Sequence, residues 1–200
     1  MNYLFLDLEM SGSEAGYHDI IQIGAVLTND KFDVLAEYTS LVYPENEEVF
    51  SEEAEDIHGI SIHDLEDAPM IHEVLDEFEA WIRKTLRRKN NDPIKDVVVC
   101  GQSILNDINF LMAAYNKQHL LWPFSFRILD LMTLTETMYR IFDSKKIERP
   151  KNYSLRAVSK YLKITIEEQR HDALEDARLT LRCFQGYYGI LDAMLDTFKK

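Results

Sequence analysis

"YLFLDLEMSG", residues 3–12, reads as a buried strand that carries two carboxylates, Asp7 and Glu9. Strand residues two apart face the same side, so Asp7 and Glu9 point together while Leu6 and Leu8 pack behind them. An unpaired buried carboxylate is costly unless a cation compensates it or the group is neutralised. The stretch therefore asks for a metal ion. Standing alone, the pair would mean only a strand end that meets water or an arginine.

Outward from that strand, residues 2–8, 20–27 and 32–42 are apolar or alternating and rich in β-branched and aromatic residues, which predicts three strands in an antiparallel meander. "MIHEVLDEFEAWIRKTL" places Ile71, Val74, Leu75, Phe78, Trp81 and Ile82 on one helical face, and "RRKNNDP" ends it. "DVVVCG" reads as a short buried strand and "ILNDINFLMAAY" as a helix. "FRILDL" reads as a further strand that leads to a helix around 132–142. The basic "SKKIERPKNY" is a loop, and 154–162 and 173–197 have helical spacing. The expected fold is α/β, a mixed sheet covered by helices. Ligands of such sheets sit at the carboxyl ends of strands, where Asp7 and Glu9 lie.

Two further stretches carry acids to that end. After "VVVCG", Ser103 is placed as the helix N-cap and Asp107 in the first helical turns. An isolated Asp there needs no role beyond offsetting the helix dipole. In "RHDALEDARLTLRCF", Asp172 and Glu175 have N-cap and N3 spacing, which starts a helix at Asp172. Asp176 is then inside the helix, and His171 lies on the entering loop, from which it can fold back over the aspartate.

"FLDLEMSG", "CGQSILNDINFL" and "HDALEDA" together resemble the three motifs of the DEDDh (DnaQ-like) 3′→5′ exonucleases, and "IIQIGAVL" and "HGIS" extend the likeness over nearly the whole chain. The second motif looks most like oligoribonuclease. "IHGIS" and "YSLRAVSKYLKI" look like the proofreading subunit of bacterial replicative polymerases. The resemblance implies a ribonuclease-H-like mixed five-stranded sheet flanked by helices. It also implies catalysis by Asp7, Glu9, Asp107, His171 and Asp176, with the four carboxylates holding two divalent ions. Asp7 would bridge both, Glu9 and Asp176 would hold the first, and Asp107 would hold the second through water. Cleaving a phosphodiester needs a nucleophile at neutral pH and stabilisation of the charge on the attacking and leaving oxygens, which two divalent ions provide. Oxygen ligands favour Mg²⁺ or Mn²⁺ over zinc. His171 would take the proton of the attacking water. For the 3′-terminal nucleotide the resemblance points to Met10 at the sugar and to His58, Gly59 and Ile60 over the base, although "HGI" reads equally as a glycine turn between two short helices. Asp130 matches a recurrent family position and reads as structural.

At 200 residues with 46% hydrophobic content the chain supports one core, so a single domain over 1–200 is expected. Cys100 and Cys183 have no zinc spacing and read as core thiols. With no basic leader and no run long enough to span a membrane, a cytoplasmic chain is expected. The net charge of -13 divides unevenly. Residues 1–80 hold 21 acidic residues and one basic residue, Lys31, which leaves 14 and 21 in the remainder. A -20 half and a +7 half suggest one face for cations and another for phosphates. "RKTLRRKNNDPIK" and "SKKIERPK" are candidate phosphate tracks, although each taken singly reads first as a solvated loop.

The partner expected is therefore the 3′ end of a short single strand of DNA or RNA, which leaves as nucleoside 5′-monophosphates. The rival from another class is a catalytically inactive exonuclease-like module that binds nucleic acid or protein. Such a module has no reason to keep five mutually repelling or titrating groups. A homodimer and association with a polymerase are both open at this point.

Overall fold

The computed structural model of the chain describes residues 1–165 and 172–197. Three strands open it: β1 (Asn2–Met10), β2 (Ile20–Thr28) and β3 (Val34–Leu41), with β1–β2 and β2–β3 both antiparallel. Helix α1 (Glu52–His58) and a 3-10 turn at Ile62–Leu65 precede α2 (Ile71–Thr85). The chain continues with β4 (Val97–Gly101), α3 (Leu105–Lys117), β5 (Ile128–Asp130), α4 (Leu131–Lys145), α5 (Leu155–Tyr161) and α6 (Ala173–Thr197). The sheet order is β3-β2-β1-β4-β5, with β4 parallel to both β1 and β5. The mixed five-stranded sheet flanked by helices is as expected.

The alternation of β1 divides the interior. Leu4, Leu6 and Leu8 face α2 and α3, where they pack with Val74, Phe78, Ile108 and Leu111. Phe5 faces the other way, toward α4, α5 and α6, among Leu131, Phe142, Val158, Ala177 and Phe184. Asp7 and Glu9 continue the Phe5 side, so the carboxylates emerge on the layer that α6 covers. β2 is buried along its whole length, as a strand covered on both faces must be.

Three details differ from expectation. Ser103 does not cap α3; it has φ 52, in the left-handed region, and Ile104 stands at the N-cap position. Only Ile128–Asp130 of "FRILDL" pairs with β4, and Phe126 is largely exposed. The basic stretch 83–95 precedes β4, hence lies at the end of the sheet opposite Asp7 and Glu9. There Arg83 binds Glu79 and the Asp92 carbonyl, while Arg88 binds Asp96 and the Pro93 carbonyl, which clasps the loop between α2 and β4. Cys100 and Cys183 are free, buried thiols. Among the described residues no helix is long and apolar enough to cross a membrane.

Candidate active site

The site forms because β1 outruns its parallel neighbour. The last β1–β4 pair is Phe5 with Cys100, so Asp7, Leu8 and Glu9 project past the carboxyl end of β4. There the Leu8 N–H donates to the Asp107 carboxylate at 3.0 Å. Asp107, in the first turn of α3, thus ties that helix to the exposed edge of β1, a more specific task than dipole compensation. Asp130 fixes the same corner: it caps α4 by accepting from Met132 and Thr133 and also accepts from the Ile104 N–H at 3.2 Å. Its structural reading holds.

Helix α6 reaches the carboxylates through β2. In register, Asp7 lies opposite Gly24 and Glu9 opposite Gln22. A Cβ on Gly24 would come within 2.1 Å of the Ala173 carbonyl carbon and the Leu174 nitrogen, so only glycine lets the start of α6 sit on the sheet there. Gln22, buried in an otherwise apolar strand, holds that start from both ends of its amide. Its Nε2 donates to Asp172 at 3.0 Å and its Oε1 accepts from the Ala173 N–H at 3.1 Å. Asp172 in turn accepts from the Glu175 N–H at 3.0 Å, the N-cap geometry expected from the sequence. Neither Gln22 nor Gly24 stood out as functional in the sequence. The signal was there in "IIQIGAVL", one amide among apolar residues with a glycine two positions on.

The outcome is that Asp7 and Glu9 of β1 and Asp176 of α6 bring carboxylate oxygens within 4.8 Å of one another. Asp107 stands beside this trio, close enough to act on it electrostatically. Burial first, then the charges of Asp107, Asp176, Glu9 and Asp172, hold the Asp7 carboxyl well above the usual carboxylate range. Burial and the charges of Asp176, Asp107 and Asp172 push Glu9 up to about 8. Burial pushes Asp107 up to about 7, against the hydrogen bonds it accepts from its own and the Leu8 backbone. Among the described residues no cation acts on Asp7 or Glu9. Such a cluster is either protonated or neutralised by a bound cation.

Beside Glu9 a cavity of about 240 Å³ is lined by Met10, Ser51, Glu53, Ile57 and His58, among others. Of the four residues expected around a terminal nucleotide, Met10 and His58 line it. Gly59 and Ile60 do not. Gly59 instead ends α1 with φ 70, and the Ile60 N–H donates to His58 Nδ1 at 3.0 Å, so "HGI" is also the glycine turn between two short helices. His171 lies outside the described residues.

Residues 4–184 match the exonuclease family RNase_T. The oligoribonuclease of Buchnera aphidicola subsp. Schizaphis graminum is 27% identical over 180 residues, covering 88% of this chain and 84% of its own. The DNA polymerase III subunit epsilon of Rickettsia typhi is 28% identical over 198 residues, covering 98% and 76%. Among solved structures, the nuclease domain of 3′hExo, a DEDDh family member bound to rAMP, has a TM-score of 0.67 at 20% identity over 92% of both chains. E. coli Exonuclease I in complex with a 5cy-dT13 oligonucleotide has a TM-score of 0.71 at 18% identity over 91% of this chain, which spans only 39% of the Exonuclease I chain. The structural likenesses carry the fold, and the family match spans both the strand that bears Asp7 and Glu9 and the helix that bears Asp176. This chain belongs to the RNase_T exonuclease family.

Proposed function

We propose that the protein is a cytoplasmic, divalent-metal-dependent 3′→5′ exonuclease that releases nucleoside 5′-monophosphates from short single strands of DNA or RNA, and that the whole chain acts as one exonuclease domain. The observation that carries the proposal is the convergence of Asp7, Glu9 and Asp176 from a strand and a distant helix within 4.8 Å, with no basic group among the described residues acting on Asp7 or Glu9.

The residues present fit metal ions. All donors are carboxylate oxygens, the set that suits Mg²⁺ or Mn²⁺. Asp7, Glu9 and Asp176 would hold one ion, and Asp7 with Asp107 a second. When bound, such ions supply charge for the phosphate oxygens and lower the cost of forming a nucleophile at neutral pH. The chain's own groups do the rest. The cavity lined by Met10 and His58 seats the terminal nucleoside, which leaves its phosphate over the carboxylates. Gln22 holds the start of α6, and hence Asp176, in place. His171 takes the proton of the attacking water; His171→Ala should then cost about 10² to 10⁴ in rate while strand binding survives.

The experiment is release of mononucleotides from matched DNA and RNA strands with Mg²⁺, Mn²⁺ or excess chelator. Release of 5′-monophosphates from the 3′ end with either ion, and none in chelator, is expected. Full activity in chelator, or no release from any strand, would overturn the proposal.

A further inference from the structure

We propose that the outer face of α5, which carries Arg156, Lys160 and Lys163 at its end, is the track along which the sugar-phosphate backbone of a bound single strand leaves the active site toward its 5′ side. This rests on the exonuclease reading above and adds to it the path of the strand.

The sequence segregates α5 sharply. Val158 and Ser159 are buried and Leu155 and Leu162 half-buried against the α6 layer, while Arg156, Lys160 and Lys163 are exposed. Arg156 and Lys160, four apart, recur on one helical face about one turn, 5.4 Å, from each other, and Lys163 follows just past the C-cap with φ 56, where its N–H donates to the Lys160 carbonyl, so the cations succeed one another toward the far end of α5. Elsewhere in the chain Arg83, Arg88, Lys117, Arg140, Arg149 and Arg178 are each held by a carboxylate. Among the described residues none of the three on this row has an ion-pair partner, a state they share with other surface cations such as Lys84 and Lys95, so what sets them apart is where they lie. Exposed lysines on a helix are ordinary; their placement here is not.

α5 starts at the rim of the site and leads away from it. The Gln102 Nε2, just past the end of β4, donates to the Tyr153 carbonyl at 2.9 Å, which anchors the residue before the Ser154 cap beside the second motif. The far end of α5 packs over α6, where a Cβ on Gly186 would lie 3.0 Å from a Leu162 methyl. Gly186 is about 20 Å along α6 from its start at 1.5 Å per residue. The row therefore runs outward on the side of the sheet to which Asp7 and Glu9 point. The cavity lined by Met10 and His58 lies on the opposite flank, under α1. Terminal nucleoside, carboxylates and cation row thus follow one another across the molecule in the order a strand needs. The α1 flank, with Glu52, Glu53, Glu55 and Asp56, repels a backbone, and the basic stretch 83–95 is at the wrong end of the sheet. Phosphate contacts of this kind hold a strand without reading its sequence.

The test compares two full-chain triple variants with equal charge change: Arg156→Gln/Lys160→Gln/Lys163→Gln on the row, and Lys84→Gln/Lys89→Gln/Lys95→Gln at the far end of the sheet. Binding of a dye-labelled single strand of about a dozen nucleotides is measured by anisotropy in chelator across a salt series. The row variant should bind at least about tenfold more weakly, with the slope of log Kobs against log salt reduced by about 2, since each phosphate on a single strand contributes about 0.7. The far-end variant should bind like wild type. Equal losses in both variants, or an unchanged slope in the row variant, would overturn the track. Failure of the exonuclease reading shows separately, as wild-type protein that releases no mononucleotide from any strand.

Discussion

Glu9 and Asp107 keep protons in the native chain that their unfolded forms release. Their ordinary values are 4.5 and 3.8, and in the fold they stand at about 8 and about 7, chiefly through burial. A raised carboxylate pKa means that the native state binds more protons than the unfolded state between those limits, so stability is full below the ordinary range and is lost as pH rises through the native values. Metal-free protein should therefore melt at a lower temperature at about pH 8 than at about pH 5, the loss of unfolding free energy being on the order of a few kcal/mol. A divalent ion removes that penalty by binding the ionised cluster, so its stabilising effect should be larger at the higher pH. Thermal melts with and without Mn²⁺ at the two pH values check this; a metal-free melting temperature flat in pH would mean that the carboxylates are solvated. Asp107 can be dissected further, because its oxygen also serves the Leu8 N–H. Asp107→Asn keeps an acceptor there and should fold normally while turnover falls by about 10- to 100-fold or more. Asp107→Leu should also lose about 1–3 kcal/mol, the cost of a buried N–H left unpaired. Near-normal turnover of the asparagine variant would return Asp107 to a purely structural role.

Helix α6 depends on β2 for its position, and β2 contributes no ligand. Gln22→Met preserves volume but removes both hydrogen bonds to the helix start. The Ala173 N–H would then lose its partner and Asp172 would keep only the Glu175 N–H, a loss of about 1–3 kcal/mol. The consequence peculiar to this geometry is a weaker metal site: calorimetric titration of Mn²⁺ should show affinity about 10-fold lower even where the circular dichroism is native. Unchanged metal affinity would make Gln22 a helix cap and nothing more. Gly24→Ala is the harsher test. Its methyl has no room beside Ala173 and Leu174, and overpacking of this kind costs about 1–3 kcal/mol, with α6 displaced outward. Loss of Mn²⁺ binding in a folded variant is the expected result, and native affinity would show that α6 does not need this close approach.

Across the whole molecule the charges divide the work. The first 80 residues, with 21 acidic residues and one basic residue, carry β1 and the acidic α1, and the cations follow in the rest of the chain. A long strand or a duplex would meet repulsion wherever it left the α5 face. Affinity for single strands should therefore stop climbing after a few nucleotides, with a total salt slope of about 2 to 3. Binding that continued to strengthen along strands of many nucleotides would place the acidic half away from the substrate.

Much of this was legible in residue order. Two carboxylates at alternate positions of an apolar strand announced a charged end on a buried element, because strand periodicity alone assigns them to one face. The spacing of Asp172 and Glu175 marked where α6 begins, since an N-cap is a local event. The order of apolar strands and amphipathic helices was sufficient for a mixed sheet between helical layers. What the order of residues did not reveal is which distant group meets that strand end. Gln22 and Asp172 are 150 residues apart and Leu8 and Asp107 are 99 apart, and no local period records such pairs. They follow from how closely α6 can lie on Gly24 and from β4 ending before β1 does. For the same reason composition did not show where basic segments would lie. The direction of β4 sent 83–95 to the far end of the sheet, and the Gln102–Tyr153 hydrogen bond brought α5 to the rim of the site. Local periodicity determines which face a side chain takes, whereas the packing of helices on the sheet determines what that face encounters.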